Sequence, residues 1–316
     1  MILLGIVPAL LGLADSTYLV RIAQLTLITV ILTSALNLLT GTAGLLSLDS
    51  VVYYGFGAYT AAILSVNLGT SFLTDLVSAT LGAAAFGLAI GMALVRLRSI
   101  FFAVATMGLA ISFHTTVLNW DALTRGPMGY RGIPPIRFAG YELNSPIAVY
   151  FAIAIVCLLV LVVIHRLTHS FYGNAVRAVR EDNECARSMG LPTRWLHAQV
   201  YAVHAAIMGA AGALYAHTNQ FISPDMFVLL ESALVLTGIV VGGLGSLPGA
   251  VVGALLLVLV PEALREIGQL RAFAFGLILF FSILLLPRGV VSEVRSLAWF
   301  RRAMPWSPWG RRGDSP

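Results

Sequence analysis

The side chains able to do chemistry are few in this chain, and one stretch holds a dense group of them. Between Ala175 and Pro192, the acids Glu181, Asp182 and Glu184 lie among Arg177, Arg180, Arg187 and Cys185, and the run stops at Gly190 and Pro192. Glycine at a C-terminal cap with proline just beyond is how a short helix ends. Ala186 and Gly190 are four residues apart, which puts them on one helical face as a smooth patch where another protein could dock. A solvated loop between two membrane spans would carry the same charges, so the pattern alone leaves both readings open. Elsewhere the titratable groups are scattered. His114 and His204 are isolated within apolar runs, where a packed, hydrogen-bonded histidine and a proton relay look alike. Asp75 and Glu231 fall at expected span ends. There is no H-E-x-x-H, no paired cysteine motif and no intramembrane acid pair, so metal chemistry and membrane proteolysis lack their residues.

A second informative stretch, Asn37 to Tyr59, is a glycine- and hydroxyl-rich break in an otherwise apolar setting. Backbone that is irregular at membrane depth must be buried in protein or line a wet cavity. The break is therefore expected to border a solute path, with Asn37, Thr40, Thr42, Ser47, Tyr53, Tyr54 and Tyr59 as lining candidates. The alternative use of the same groups is hydrogen bonding between helices. Asp49 or Ser50 is also placed to cap the helix that follows.

The elements that must position these groups are membrane helices. Of 316 residues 59% are hydrophobic and only 10% charged, which requires many spans rather than one anchor. Apolar runs near 2–14, 18–40, 50–66, 74–95, 100–119, 146–164, 197–218, 228–242, 249–264 and 272–287 make about ten spans, the first and eighth short enough to be tilted or re-entrant. The first run lacks a basic leader region and a small-residue cleavage site, so a short first span is expected there. All 19 basic residues are arginine. Without lysine there is no P-loop lysine for ATP phosphates and no Schiff base. The basic balance suits loops facing anionic lipid and lacks the aromatic interleaving of nucleic-acid binding. Cys157 in an apolar run and Cys185 in a polar loop do not suggest a disulfide.

Arginine in 165–196 and beyond Pro287 outweighs Arg125, Arg131 and Arg137 in the 120–145 loop. By the positive-inside rule the first two segments and both termini are cytoplasmic, and the 120–145 loop is an external, turn-rich cap. The domain reading is a transmembrane region over 1–290, with the cytoplasmic loop 165–196 inside it, and a basic tail over 291–316. Trp299, Trp306 and Trp309 in that tail could anchor it at the interface. Gly245, Gly249 and Gly253 repeat every four residues, the spacing that lets membrane helices approach closely. Gly87 with Gly91, and Gly209 with Gly212, suggest the same packing role.

Four motifs in order carry a family resemblance. Glu184-Cys185-Ala186-x-x-x-Gly190 resembles the EAA-x-x-x-G coupling signature of ABC importer permeases, and the region on to Ala205–Ala216 is similar to LivM-type permeases for branched-chain amino acids. Leu36–Gly41 with Gly55–Thr60, the loop 119–135 and Gly242–Ala250 resemble further signatures of that family, so the likeness runs from about residue 17 to 290. One string departs from it: where the family usually has glutamine, glycine and histidine, this chain has Leu45, Asp49 and Ser50.

The resemblance implies an all-α polytopic bundle, like the type II ABC importer permeases, acting as a transport subunit rather than an enzyme. It implies ATPase subunits carrying ATP and Mg, a second LivH-type permease, an extracytoplasmic solute-binding protein and a place in the bacterial inner membrane. No cofactor is expected in this chain. The coupling residues it singles out are Arg177, Arg180, Glu181, Asp182, Glu184, Ala186 and Gly190. Leucine, isoleucine and valine are the implied solutes, with urea, short amides or other amino acids as alternatives. A self-sufficient secondary transporter or channel is the competing class; a membrane enzyme lacks a nucleophile–base or metal constellation.

Overall fold

The computed structural model describes residues 17–97, 99–138, 141, 142, 145–285, 289 and 291. The expected first span, Arg98 and the tail beyond residue 291 lie outside the described residues. Among the described residues, nine helices lie on the expected apolar runs and two shorter ones in the charged loop between them. They are α1 (Thr17–Leu36), α2 (Ser50–Leu68), α3 (Phe72–Leu94), α4 (Ser99–Asn119), α5 (Pro146–Thr168), α6 (Phe171–Glu181), α7 (Asn183–Ser188), α8 (Thr193–Asn219), α9 (Leu229–Gly242), α10 (Leu247–Ala263) and α11 (Arg271–Leu285). Among the described residues, six helical stretches are long and apolar enough to cross a membrane.

Large apolar side chains point outward: Ile100 is 77% exposed and Ile155 67%. That is the reverse of a soluble protein and suits a lipid-facing surface, with small residues kept for helix contacts. The axis of the bundle is α8, which packs along α2, α3 and α1. Its 27 residues reach about 40 Å at 1.5 Å per residue. It is too polar to face lipid, yet Tyr201, His204 and His217 are buried by its neighbours.

Glycines make these approaches possible. A methyl on Gly57 of α2 would overlap the backbone of Gly209 on α8, one on Gly209 would strike Ala79 and Ala83 of α3, and one on Gly212 would strike Tyr54 O. Gly87 lies against Ala205 and Gly91 against Tyr201. Gly249 and Gly253 of α10 face Gly242 and Gly238 of α9. Gly245 departs from the four-residue helical pattern: it lies in the turn between α9 and α10 at φ +78°, where its neighbour is Gly41.

The turn-rich 120–145 segment is ordered by a single helical turn (Asp121–Thr124) and by short pairings of β1 (Tyr130–Arg131) with β4 (Phe221–Ile222) and of β2 (Arg137–Phe138) with β3 (Tyr141–Glu142). Arg125 stacks over Tyr130 at 4.5 Å and Arg131 over Phe221 at 5.5 Å, so two of its arginines lie on aromatic faces.

The close packing predicts that Gly209→Val destabilises the protein by about 1–3 kcal/mol. Gly108→Ala adds a methyl into open space and should leave the thermal midpoint unchanged or slightly higher. Intrinsic-fluorescence melts of both variants in one detergent check the pair, and equal midpoints would refute the packing account.

Candidate functional site

The polar break is narrower than the sequence suggested. From Asn37 to Thr42, α1 continues as a π-helix, residues 43–49 are irregular, and from Ser50 onward α2 is regular. The Gly55–Tyr59 half is therefore helix: Gly57 packs on Gly209, and Gly55 faces Phe113 and Phe227.

Distant segments meet the exposed backbone of the break. Arg180 of α6 donates from Nη1 to Gly41 O. Leu48 N–H donates to Thr106 Oγ1 at 3.1 Å, and Val51 N–H to Ser232 Oγ at 3.0 Å. Asn37 works in the opposite direction. Its Oδ1 accepts from Gly245 N–H at 2.8 Å and its Nδ2 donates to Ser246 O at 3.1 Å, so it clamps the α9–α10 turn. Gly44, at φ +74°, leaves room for the Arg180 stem, whose Cγ would lie 2.8 Å from a methyl there.

Asp49 occupies the cap position of α2 but makes no capping bond. Its carboxyl instead accepts from Ser47 Oγ and from Tyr201 OH. Tyr53 OH donates to Tyr201 OH at 3.0 Å. His204 Nδ1 lies 3.0 Å from Ala35 O, and its Nε2 is 3.9 Å from Asp49, beyond hydrogen-bond reach. The capping expectation fails because partners on α8 compete for the carboxyl. A second buried pair joins α8 to α3, with His217 Nε2 3.2 Å from Asp75. Asp75 also accepts from Thr70 Oγ1, so it is more than a helix-end acid.

Beside the break lies a cavity of about 640 Å³ walled by α1, α2, α8, α9, α10 and α11. Of the seven lining candidates, Tyr54 borders it. Asn37, Ser47 and Tyr53 make the bonds just described, Thr40 Oγ1 donates to Leu45 O, Thr42 lies beside Leu167 and Tyr172, and Tyr59 packs on Tyr130 and Phe227. Ser50, Tyr215, Asp225 and Glu231 also line the cavity. Hydropathy carried no signal for them, because convergence of helices far apart in sequence creates the space.

The charged loop is two helices rather than one. Asp182 breaks it at φ −150°, and its carboxylate caps α7 by accepting from Cys185 N–H at 2.9 Å. This local side-chain bond offers the backbone an alternative to continuing α6. Glu181 ends α6, Glu184 lies in the first turn of α7, and both are exposed. Arg177 ties α6 to the end of α5 through Thr168 O at 2.6 Å. Gly190, at φ +85°, follows α7 with open space around it, as the cap pattern required. Ala186 differs from expectation: it is buried against Val179 and Leu196 and forms no shared patch with Gly190. The exposed apolar groups here are Phe171, Met189 and Trp195. Burial pushes the Tyr172 phenol up to about 12, so it stays neutral, 3.4 Å from Leu196 O.

Residues 18–286 match the family described as branched-chain amino acid transport system / permease component. The chain belongs to this permease family. It is therefore a multi-pass membrane transport component. This permease is 33% identical over 299 residues to the high-affinity branched-chain amino acid transport system permease protein LivM of Escherichia coli (strain K12), covering 87% of this chain and 70% of that protein. The LivM protein of Salmonella typhimurium is 32% identical over the same shares. LivH of Salmonella typhimurium is 25% identical over 280 residues, 80% of this chain and 87% of LivH. No solved structure matches the permease.

The Asp49 cluster predicts coupled energetics. Tyr201→Phe removes a donor from a buried carboxyl and should cost about 1–3 kcal/mol. In a double-mutant cycle with Asp49→Asn, the two losses should be clearly non-additive. Thermal melts of the four proteins check this, and strict additivity would show that the groups do not interact.

Proposed function

We propose that this permease is the LivM-type subunit of an ATP-driven importer of leucine, isoleucine and valine, and that α6–α7 is its contact with an ATPase subunit. The observation that carries the coupling reading is the reach of Arg180 from α6 to Gly41. One end of this link is an exposed, charged helix pair; the other is the π-helical end of α1, next to the irregular residues 43–49. A push on α6 is thus delivered to the break beside the cavity. Glu181, Asp182, Glu184 and Gly190 form the exposed contact, Arg177 holds α6 against α5, and buried Ala186 keeps α7 seated on α6 and α8.

The implied assembly has two ATPases carrying ATP and Mg, a LivH-type permease and an external solute-binding protein, in the inner membrane with both chain ends cytoplasmic. The similarity to LivH over most of this chain supports a partner of like fold. An aliphatic amino acid suits a cavity of mostly apolar wall with hydroxyls and carboxylates at one side.

Glu184→Arg reverses an exposed charge without touching the core. Purified from its native host, the variant should retain the second permease, lose most of the ATPase, and take up leucine at about a tenth of the normal rate or less. Normal uptake by a correctly inserted variant would sink the docking assignment. Arg180→Met should keep the ATPase bound but uncouple its hydrolysis from uptake.

A further inference from the structure

The cavity of about 640 Å³ holds an unusual set of polar groups. Ser50, the first residue of α2, is 2% exposed, its Oγ has no hydrogen-bond partner, and it lines the space. A buried hydroxyl left unpaired is costly unless something arrives to bond it. Glu231, in the first turn of α9, lines the same space, and the bond from Val51 N–H to Ser232 Oγ draws the two helix starts together, so Ser50 and Glu231 flank one contact. Asp225 is the other charged group in the wall, and no arginine or histidine lines it. The remaining surface is largely aliphatic, including Ile28, Leu32 and Leu257. Ser50 is buried and follows Asp49, which bonds Tyr201 of α8, whereas Glu231 and Asp225 are exposed, so the polar end of the space runs from the bundle interior to a face that a solute can reach.

We propose that this cavity is a solute subsite for a primary ammonium group on an aliphatic chain. Glu231 supplies the countercharge, Ser50 Oγ accepts one ammonium hydrogen, and the aliphatic wall takes the side chain. With two carboxylates and no cation facing it, the site reads the amino end of an amino acid; the acid end is left to solvent or to a neighbouring subunit. This deepens the importer reading and rests on it for the identity of the solute.

The test is ligand protection of the full chain, purified with its lipids, against thermal unfolding. Three probes share the 3-methylbutyl chain: L-leucine, 3-methylbutylamine, which lacks the carboxylate, and 4-methylpentanoate, which lacks the ammonium. Leucine and the amine should raise the midpoint and the acid should not. Glu231→Gln should weaken protection about tenfold or more, Glu231→Asp should retain part of it, and Ser50→Ala should weaken it less. Protection by the acid equal to that by the amine, or unaltered protection in Glu231→Gln, would overturn the proposal. Protection by phosphatidylethanolamine alone would overturn it too, since the cavity would then hold a lipid headgroup. Absence of an ATPase from the native assembly would defeat the importer reading while leaving this readout on the chain itself unchanged.

Discussion

Backbone in hydrocarbon has no water to bond, and in the irregular segment between α1 and α2 and the helix ends that border it, side chains from three distant helices supply partners. Arg180 bonds Gly41 O, Thr106 takes the Leu48 amide and Ser232 takes the Val51 amide. Each unmet group would cost several kcal/mol at membrane depth. The break is therefore a junction: the charged helix pair, α4 and the start of α9 are all fixed by the need to satisfy it. Asn37 extends the junction to the α9–α10 turn.

That arrangement gives the permease a mechanical logic. Regular helices resist bending because their hydrogen bonds are internal, whereas a segment held by side chains can exchange partners. In the proposed coupling, the π-helical end of α1 and residues 43–49 are where a displacement of α6 would be absorbed. The next residue, Ser50, lies in the wall of the cavity, as does Tyr54. The proposed coupling contact and the proposed solute subsite are thus joined through residues 43–49.

Behind the break, α8 acts as the fixed reference. Its glycine and alanine faces leave α2 and α3 little freedom to slide, and its buried Tyr201 and His217 attach to Asp49 and Asp75 at two levels. Buried carboxyls in a membrane bundle need partners: Asp49 accepts from Ser47 and Tyr201, and Asp75 accepts from Thr70 with His217 beside it at 3.2 Å.

Much of this was legible in the chain before any fold was known. Apolar runs marked where α1 to α5 and α8 to α11 lie, because the loops between them are punctuated by arginine, glycine and proline, although α8, α10 and α11 fall short of the length or the apolarity of a full crossing. The motifs at Glu184–Gly190 and Gly242–Ala250 identified the family, and Gly190 marked a helix end through its left-handed backbone. What the order of residues left open is every choice among long-range partners. Asp49 could cap α2 locally or bond Tyr201, 152 positions away, and only the packing of α8 against α2 decides between them. Asn37 and Ser50 are both small polar residues of the same break, yet one clamps a distant turn and the other faces a cavity. Hydrogen bonding in a low-dielectric bundle is settled by which helices touch, and glycine-mediated contact between segments far apart in the chain sets that.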